Sequence, residues 1–392
     1  MAVDRETHSL GPISSSLAGK RVCIVSPDAY PLLDASVEGA WSGEAGGAEI
    51  QLSTIGLALA RAGLDVHFVV ADCGQAEQVE VGGVTAHRAT FRYMGGSKKY
   101  VLPDWWRLWR ILRRIRADYH LIKVPRHLLL LLGLHCRLHG GHLIYIGQKD
   151  SDLDESIIRS NEGAQGWWLY VAGMRFVGAV AAQTEVQRSG FQKKFGKDAV
   201  VIRNVLTLPD DDDISKDGYV LWVGNSSDDK QPHLVLELAR ALPDVRFRMI
   251  MTLTAWRNDD SFIRDQLGKL PNLEYLGAVP FGEIAQHYKR ARLFISTSKC
   301  EGFPNTFLQS WQYRTPVISL LVDPDGVIGC HDLGRVSGTF DNMVRQIREL
   351  HADPALCEKL GGNAHRYAYE YHSLQSAVNG YCSLLAGLDK QR

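Results

Sequence analysis

Along this chain short apolar runs recur, each ending in a polar, turn-rich stretch, and longer segments of helical apolar period lie between them. The runs at 21–26, 65–71, 119–124, 142–146, 178–183 and 199–204, then at 219–223, 246–251, 273–276, 293–296 and 316–320, read as buried strands. Their near-continuous apolar character suits strands covered on both faces, as in parallel sheets. Helical spacing fills 50–63, 104–116, 128–138, 233–241, 284–291 and a stretch beginning near 305, and the tail adds helical patterns at 341–350, 355–369 and 373–388. Strands alternating with helices predict an α/β protein built of strand–helix–strand units. Two segments break the pattern. Residues 72–100 suggest short strands and a connection around Gly95-Gly96-Ser97-Lys98-Lys99. Residues 206–218 set Asp210 to Asp213 between two apolar runs, and charge with turn residues supports no core. That stretch reads as a solvated linker between a domain at 1–205 and a domain at 219–370, with 371–392 as a closing helix.

A length of 392 residues agrees with two domains. Lys plus Arg and Asp plus Glu each number 44, so the formal net charge is zero and nothing global points to nucleic acid. The polar start lacks the apolar core of a secretory signal, and no stretch approaches the ~18 apolar residues of a membrane span, so a cytoplasmic protein is expected. The seven cysteines are scattered, odd in number and free of a Cys-x-x-Cys pair, which favours reduced thiols over a disulfide framework or zinc site. The histidines show no metalloprotease spacing, and no metal is expected.

Candidate chemistry gathers in loops that follow strands. In an open parallel sheet these loops lie at the carboxyl ends, where ligands bind. After 293–296 comes Glu301-Gly302-Phe303-Pro304, then a helix starting near Asn305 and Thr306 whose free N–H groups can hold a phosphate. After the first strand, Gly46-Gly47-Ala48-Glu49 opens another helix, where paired glycines let a backbone approach an anion. After 219–223 comes a loop holding Asn225, Ser226 and Lys230, and after 142–146 a loop holding Gln148, Lys149 and Asp150. The helix at 104–116 sets Trp105 and Trp109 on an apolar stripe and Arg107, Arg110, Arg113 and Arg114 opposite. Such a helix either packs on its sheet with solvated arginines or also touches an anionic membrane surface.

The run EGFPNTFLQSW at 301–311, a following apolar strand and Val322-Asp323-Pro324-Asp325-Gly326 closely resemble the donor-site signature of the retaining family-4 glycosyltransferases. The resemblance extends to GGAE-x-Q at 46–51 and covers nearly the whole chain. It implies the GT-B fold: two Rossmann-like parallel-sheet domains facing a cleft, with the C-terminal helix crossing back to the first. It also implies a metal-independent enzyme that needs no cofactor and moves a sugar from a nucleotide-diphosphate sugar to a glycan or lipid-linked acceptor, in cell-surface polysaccharide synthesis. By resemblance Glu301 and Lys230 are catalytic, Glu301 holding sugar hydroxyls and Lys230 the departing diphosphate. Gly46, Gly47, Asn225, Ser226, Gly302, Phe303, Pro304, Asn305, Thr306 and Gln309 would bind the donor, with Gln309 on the ribose hydroxyls. Gln148, Lys149 and Asp150 are candidates for sugar or acceptor contacts. Trp105, Trp109 and the four arginines would place the protein at the inner face of the cell membrane.

Three departures stand out: Gln309 where the family has a second glutamate, Asn225 where it has an arginine, and no histidine in the 147–152 loop. They motivate an alternative, a glycosyltransferase-like binding or scaffolding protein that has lost catalysis.

Overall fold

The computed structural model describes residues 15–37, 46–89, 102–124, 126–208, 213–252, 265–266 and 269–390. The expected connection at Gly95 to Lys99 and the aspartates 210–212 lie outside the described residues. The chain forms two compact α/β units, one of residues 15–205 with 374–390, the other of Leu206–Ser373.

The first domain runs β1 (Arg21–Val25), α1 (Gly47–Arg61), β2 (Asp65–Val70), β3 (Gln78–Val81), β4 (Val84–Arg88), α2 (Leu102–Ile115), β5 (Tyr119–Ile122), α3 (Leu129–His139), β6 (His142–Ile146), α4 (Glu155–Met174), β7 (Val177–Ala182), α5 (Glu185–Phe195) and β8 (Ala199–Val201). Its strand order is β3-β4-β2-β1-β5-β6-β7-β8, parallel throughout except for the β3–β4 pair. Alternation along β1 sends Val22 and Ile24 to one face and Cys23 and Val25 to the other, each into a separate apolar layer. The first layer includes the last helix of the chain, α11 (Leu374–Asp389), through Leu374, Val378, Tyr381 and Leu385. The closing helix therefore belongs to the first domain's core.

The second domain runs β9 (Tyr219–Asn225), α6 (His233–Ala241), β10 (Phe247–Thr252), β11 (Leu273–Gly277), α7 (Ile284–Arg290), β12 (Ala291–Ser296), α8 (Asn305–Gln312), β13 (Val317–Ser319), β14 (Gly334–Val336), α9 (Phe340–Ala352) and α10 (Pro354–Tyr371). Its strands order as β11-β10-β9-β12-β13-β14, all parallel. Alternate residues of β9 again feed two layers, Val220 and Trp222 into one, Tyr219 and Leu221 into the other.

Three elements escaped the apolar pattern. α4 is polar over much of its length and bends at Gly163, whose φ of 75° and ψ of 172° leave the helical region. α5 is an exposed helix capped by the Thr184 hydroxyl, which accepts from Gln187 N. β14 is only three residues long. The interdomain stretch also differs from a solvated strip. Leu208 is buried in the second domain's core with Leu206 and Ile214 against it, and the Leu208 carbonyl accepts from Gln312 Nε2 at 2.7 Å. Lys216 points inward, donating to the Tyr313 carbonyl at 2.8 Å and Thr315 Oγ1 at 2.7 Å.

Candidate functional site

In the second sheet β9 and β12 are neighbours, yet the chain leaves β9 toward β10 on one side and β12 toward β13 on the other. Their carboxyl ends therefore frame a topological switch point, where an α/β sheet opens a crevice. Two loops meet there. Trp222 Nε1 donates to Thr297 Oγ1 at 3.0 Å, Thr297 Oγ1 donates to the Lys230 carbonyl at 2.6 Å, and Lys299 N donates to the Asp229 carbonyl at 2.8 Å. These bonds hold the loop after β9 against the loop after β12. As a result Lys230 and Glu301, far apart in sequence, form an ion pair with both side chains largely buried.

Gly302, Phe303 and Pro304 are buried beside the pair. Phe303 meets the edge of Trp311 with ring centroids 6.1 Å apart and lies against His372 at 4.5 Å. α8 then begins at Asn305 after Pro304, an N-cap residue whose side chain offers no hydrogen bond to the first turn. Asn305 and Thr306, in its first turn, are half-buried. The arrangement can hold an anionic group against a lysine and a helix dipole while a carboxylate accepts from hydroxyls.

Two expected donor contacts are arranged otherwise. Gln309 is buried, and its Oε1 accepts from the Tyr288 hydroxyl at 3.0 Å, so the accepting half of the amide faces the domain interior. Asn225 Oδ1 accepts from Ser227 N at 3.1 Å and stabilises its own turn, so it supplies no counterpart to an arginine cation. Ser226 is buried beside it.

The first sheet has its own switch point, between β1 and β5. Gly46 and Gly47 lie exposed at the amino end of α1, as expected. A carboxylate already sits there. Glu49 is buried, backbone hydrogen bonds from Gly46 and Glu49 hold its carboxylate, and a Cβ on Gly46 would lie 2.8 Å from its Oε2. The Glu49 carboxylate therefore lies against the Gly46 backbone at the amino end of α1. Burial pushes the Glu49 pKa up, and Asp28 adds to the effect.

The 147–152 loop is organised by a residue the sequence reading passed over. Asp152 is fully buried, accepts from Gln148 N at 2.7 Å and Tyr145 Oη at 2.9 Å, and pairs with Arg126 at 2.6 Å. Arg126 also pairs with Glu162 on α4 at 2.7 Å. Burial pulls the Arg126 pKa down, but the neighbouring acids outweigh it and hold the guanidinium charged. Asp150 Oδ1 accepts from Gln187 Nε2 at 3.2 Å, while Gln148 and Lys149 are half-buried. Lys123 was likewise missed, because a lysine closing an apolar run reads as a strand end. It directly follows β5 and is 3% exposed. Burial pushes its pKa down to about 8, partly offset by Glu49 and Asp152.

On α2, Trp105 and Trp109 pack against the core beside Leu108 and Leu112. The tryptophan on the arginine face is Trp106, 60% exposed, with Arg107, Arg110, Arg113 and Arg114 exposed around it. The side-chain direction thus corrects which aromatic rings reach solvent. The cysteines at 23, 73, 136, 300, 330, 357 and 382 are free thiols. Among the described residues no helix is long and apolar enough to cross a membrane, and no group of three or more His, Cys, Asp or Glu is arranged to hold a metal ion.

The sequence profile of the glycosyl transferases group 1 matches residues 208–367, and that of glycosyltransferase family 4 matches residues 45–206. No curated protein sequence matches the chain. Among solved structures, a sucrose-phosphate synthase from Thermosynechococcus elongatus superposes with a TM-score of 0.73 at 16% identity, over 95% of this chain and 100% of that one. Anabaena Alr3699/HepE in complex with UDP-glucose superposes at 0.67 with 14% identity, over 94% of this chain and 99% of that one. WaaG, a glycosyltransferase involved in lipopolysaccharide biosynthesis, superposes at 0.65 with 14% identity, over 93% of this chain and 100% of that one. At these identities the likeness is one of fold.

Proposed function

The chain belongs to the family-4, group 1 glycosyltransferases and has their GT-B fold, and from that premise we propose that it is a retaining, metal-independent enzyme using a nucleotide-diphosphate sugar. The observation that carries the reading is the Lys230–Glu301 pair at the β9/β12 switch point, with Glu301 in the loop that leads into the amino terminus of α8. As the sugar–phosphate bond breaks, negative charge grows on the diphosphate. Lys230 and the first N–H groups of α8 stabilise that charge, and Glu301 accepts from hydroxyls of the sugar. The ammonium has three donors, so Lys230 can keep Glu301 oriented and reach a phosphate oxygen at once. In a front-face retaining reaction the departing diphosphate takes the acceptor proton, which dispenses with a protein base. The acceptor is proposed to be a glycan or lipid-linked saccharide of the cell surface, with the protein in the cytoplasm and Trp106 and the α2 arginines against the inner membrane face.

The Anabaena protein is in complex with UDP-glucose, which makes that compound the first probe. Calorimetric titration with UDP, GDP, ADP and their sugars, in the presence of a chelator, should find saturable binding of one donor. Lys230→Ala and Glu301→Ala should each weaken turnover on the order of a hundredfold. If no nucleotide or nucleotide sugar binds, the transferase reading is wrong. A second reading, a binding protein that has lost catalysis, is favoured by the self-bonded Asn225 and the inward carbonyl of Gln309. Tight donor binding without hydrolysis or transfer would select it.

A further inference from the structure

Lys230 reaches Glu301 from a backbone held on both sides. Its N–H donates to the Ser227 carbonyl at 3.1 Å, and its carbonyl accepts from Thr297 Oγ1 at 2.6 Å. The next residue, Gln231, stands at a φ of 47°, left-handed backbone that a residue with a Cβ adopts at a cost, and Pro232 follows it. Thr297 lies directly after β12 and is fully buried. A second donor decides the direction of its hydroxyl. The Trp222 indole N–H can only donate, and it does so to Thr297 Oγ1 at 3.0 Å, so the single hydroxyl proton is left for the Lys230 carbonyl. Gly224 makes room for this. A Cβ there would stand 2.7 Å from Trp222 Cη2 and 2.9 Å from Cζ2, so a glycine at this place in β9 lets the indole lie over its own strand.

We propose that Thr297, oriented by Trp222, is a positioning residue for Lys230: it sets the root of the lysine side chain so that the ammonium meets the departing diphosphate. This rests on the transferase reading. A bare tether between the two loops is already supplied by Lys299 N, which donates to the Asp229 carbonyl at 2.8 Å. Thr297 adds the placement of the Lys230–Gln231 peptide itself. Released from the hydroxyl, that peptide can rotate and let Gln231 relax out of the left-handed region, which moves the base of the lysine. A cation displaced by about 1 Å from a developing charge loses on the order of tenfold to a hundredfold in rate. The Trp222 bond keeps the hydroxyl from turning away, and burial keeps water from replacing it.

The test is a double-variant cycle on the full-length protein. Wild type, Thr297→Ser, Thr297→Val and Trp222→Phe are compared with the same changes placed on Lys230→Ala. Calorimetry gives affinities for UDP and UDP-glucose, GDP and GDP-mannose, and ADP and ADP-glucose. Donor hydrolysis gives kcat and KM, and thermal midpoints are measured alongside. Thr297→Val should weaken the matching nucleoside diphosphate and lower kcat by about tenfold each. Thr297→Ser keeps the hydroxyl and should stay within about threefold of wild type, while Trp222→Phe, which frees the hydroxyl to turn, should fall between the two. On Lys230→Ala none of these changes should alter affinity by more than about twofold, because no lysine is left to place. Penalties of equal size with and without Lys230 would show that Thr297 acts only on the fold and would overturn the inference, as would a Thr297→Val protein that matches wild type. If the midpoint shows that Thr297→Val does not fold, Trp222→Phe on both backgrounds decides by the same comparison. A wild-type chain that binds no nucleotide, or a Lys230→Ala variant that binds and hydrolyses the donor as well as wild type, removes the transferase premise instead.

Discussion

Lys230 and Glu301 show how a pair of residues depends on a third that touches neither by charge. The Thr297 hydroxyl bonds the Lys230 carbonyl and so fixes where the lysine begins. Removing Lys230 leaves a carboxylate only 10% exposed without its cation, and Lys230→Ala should lower stability by about 1–3 kcal/mol, less than for a fully buried pair, in urea unfolding. Gln309 makes a sharper case. Gln309→Leu should cost about 1–3 kcal/mol by orphaning the buried Tyr288 hydroxyl, and adding Tyr288→Phe should recover most of that loss. An unrecovered double variant would show that the bond is not the reason. At this scale Glu301, Gly302 and Lys230 were legible, because their loops follow recognisable strands. Lys123, Glu49 and Asp152 were not. Their partners are a helix amino end, a distant carboxylate and an arginine, and none of these is marked by local spacing.

Among the elements, α2 and α4 divide the same way. The apolar stripe of α2 was legible, but a helix's rotation about its axis decides which tryptophan is outside, and packing on the sheet chose Trp106. Arg107→Glu with Arg110→Glu, or Trp106→Ala, should therefore abolish co-sedimentation with anionic vesicles without changing the thermal midpoint. Trp109→Ala should lower the midpoint instead, since its ring lies edge-on to His135 at 5.1 Å. Vesicle binding that ignores all three exposed-face changes would sink the membrane contact. α4 crosses α3 closely at Gly173, where a Cβ would stand 2.5 Å from Leu129 Cβ and 2.6 Å from Leu130 N. Gly173→Ala should destabilise the first domain by about 1–3 kcal/mol through overpacking, and an unchanged urea midpoint would contradict that close crossing.

For the molecule as a whole, acid stability follows from histidines sequestered in the first domain. Burial, with His135 adding to it, holds His120 down to about 3, while burial with His139 and Arg113 holds His135 at about 4, and burial with His67 and Arg114 holds His87 at about 4. The unfolded chain binds these protons near pH 6.5 and the folded chain does not. Stability is therefore complete above about pH 6.5 and falls progressively toward pH 4, by up to ~1.4 kcal/mol per histidine per pH unit. Thermal midpoints should drop between pH 6.5 and 5, and His135→Gln should flatten that slope; a level wild-type curve would refute the assignment. The sequence alone determined the alternation of strands and helices, the parallel sheets that follow from it, and the loops that close on Glu301 and Lys230, because apolar period and turn residues act over a few positions. Tertiary structure alone decided which charges are buried and with whom. Arg126 reaches Glu162 on α4, the Glu49 carboxylate lies buried on the amino end of α1, Gln309 turns to Tyr288, and Lys123 closes β5 without a partner among the described residues, because burial and pairing are set by neighbours that only folding brings together.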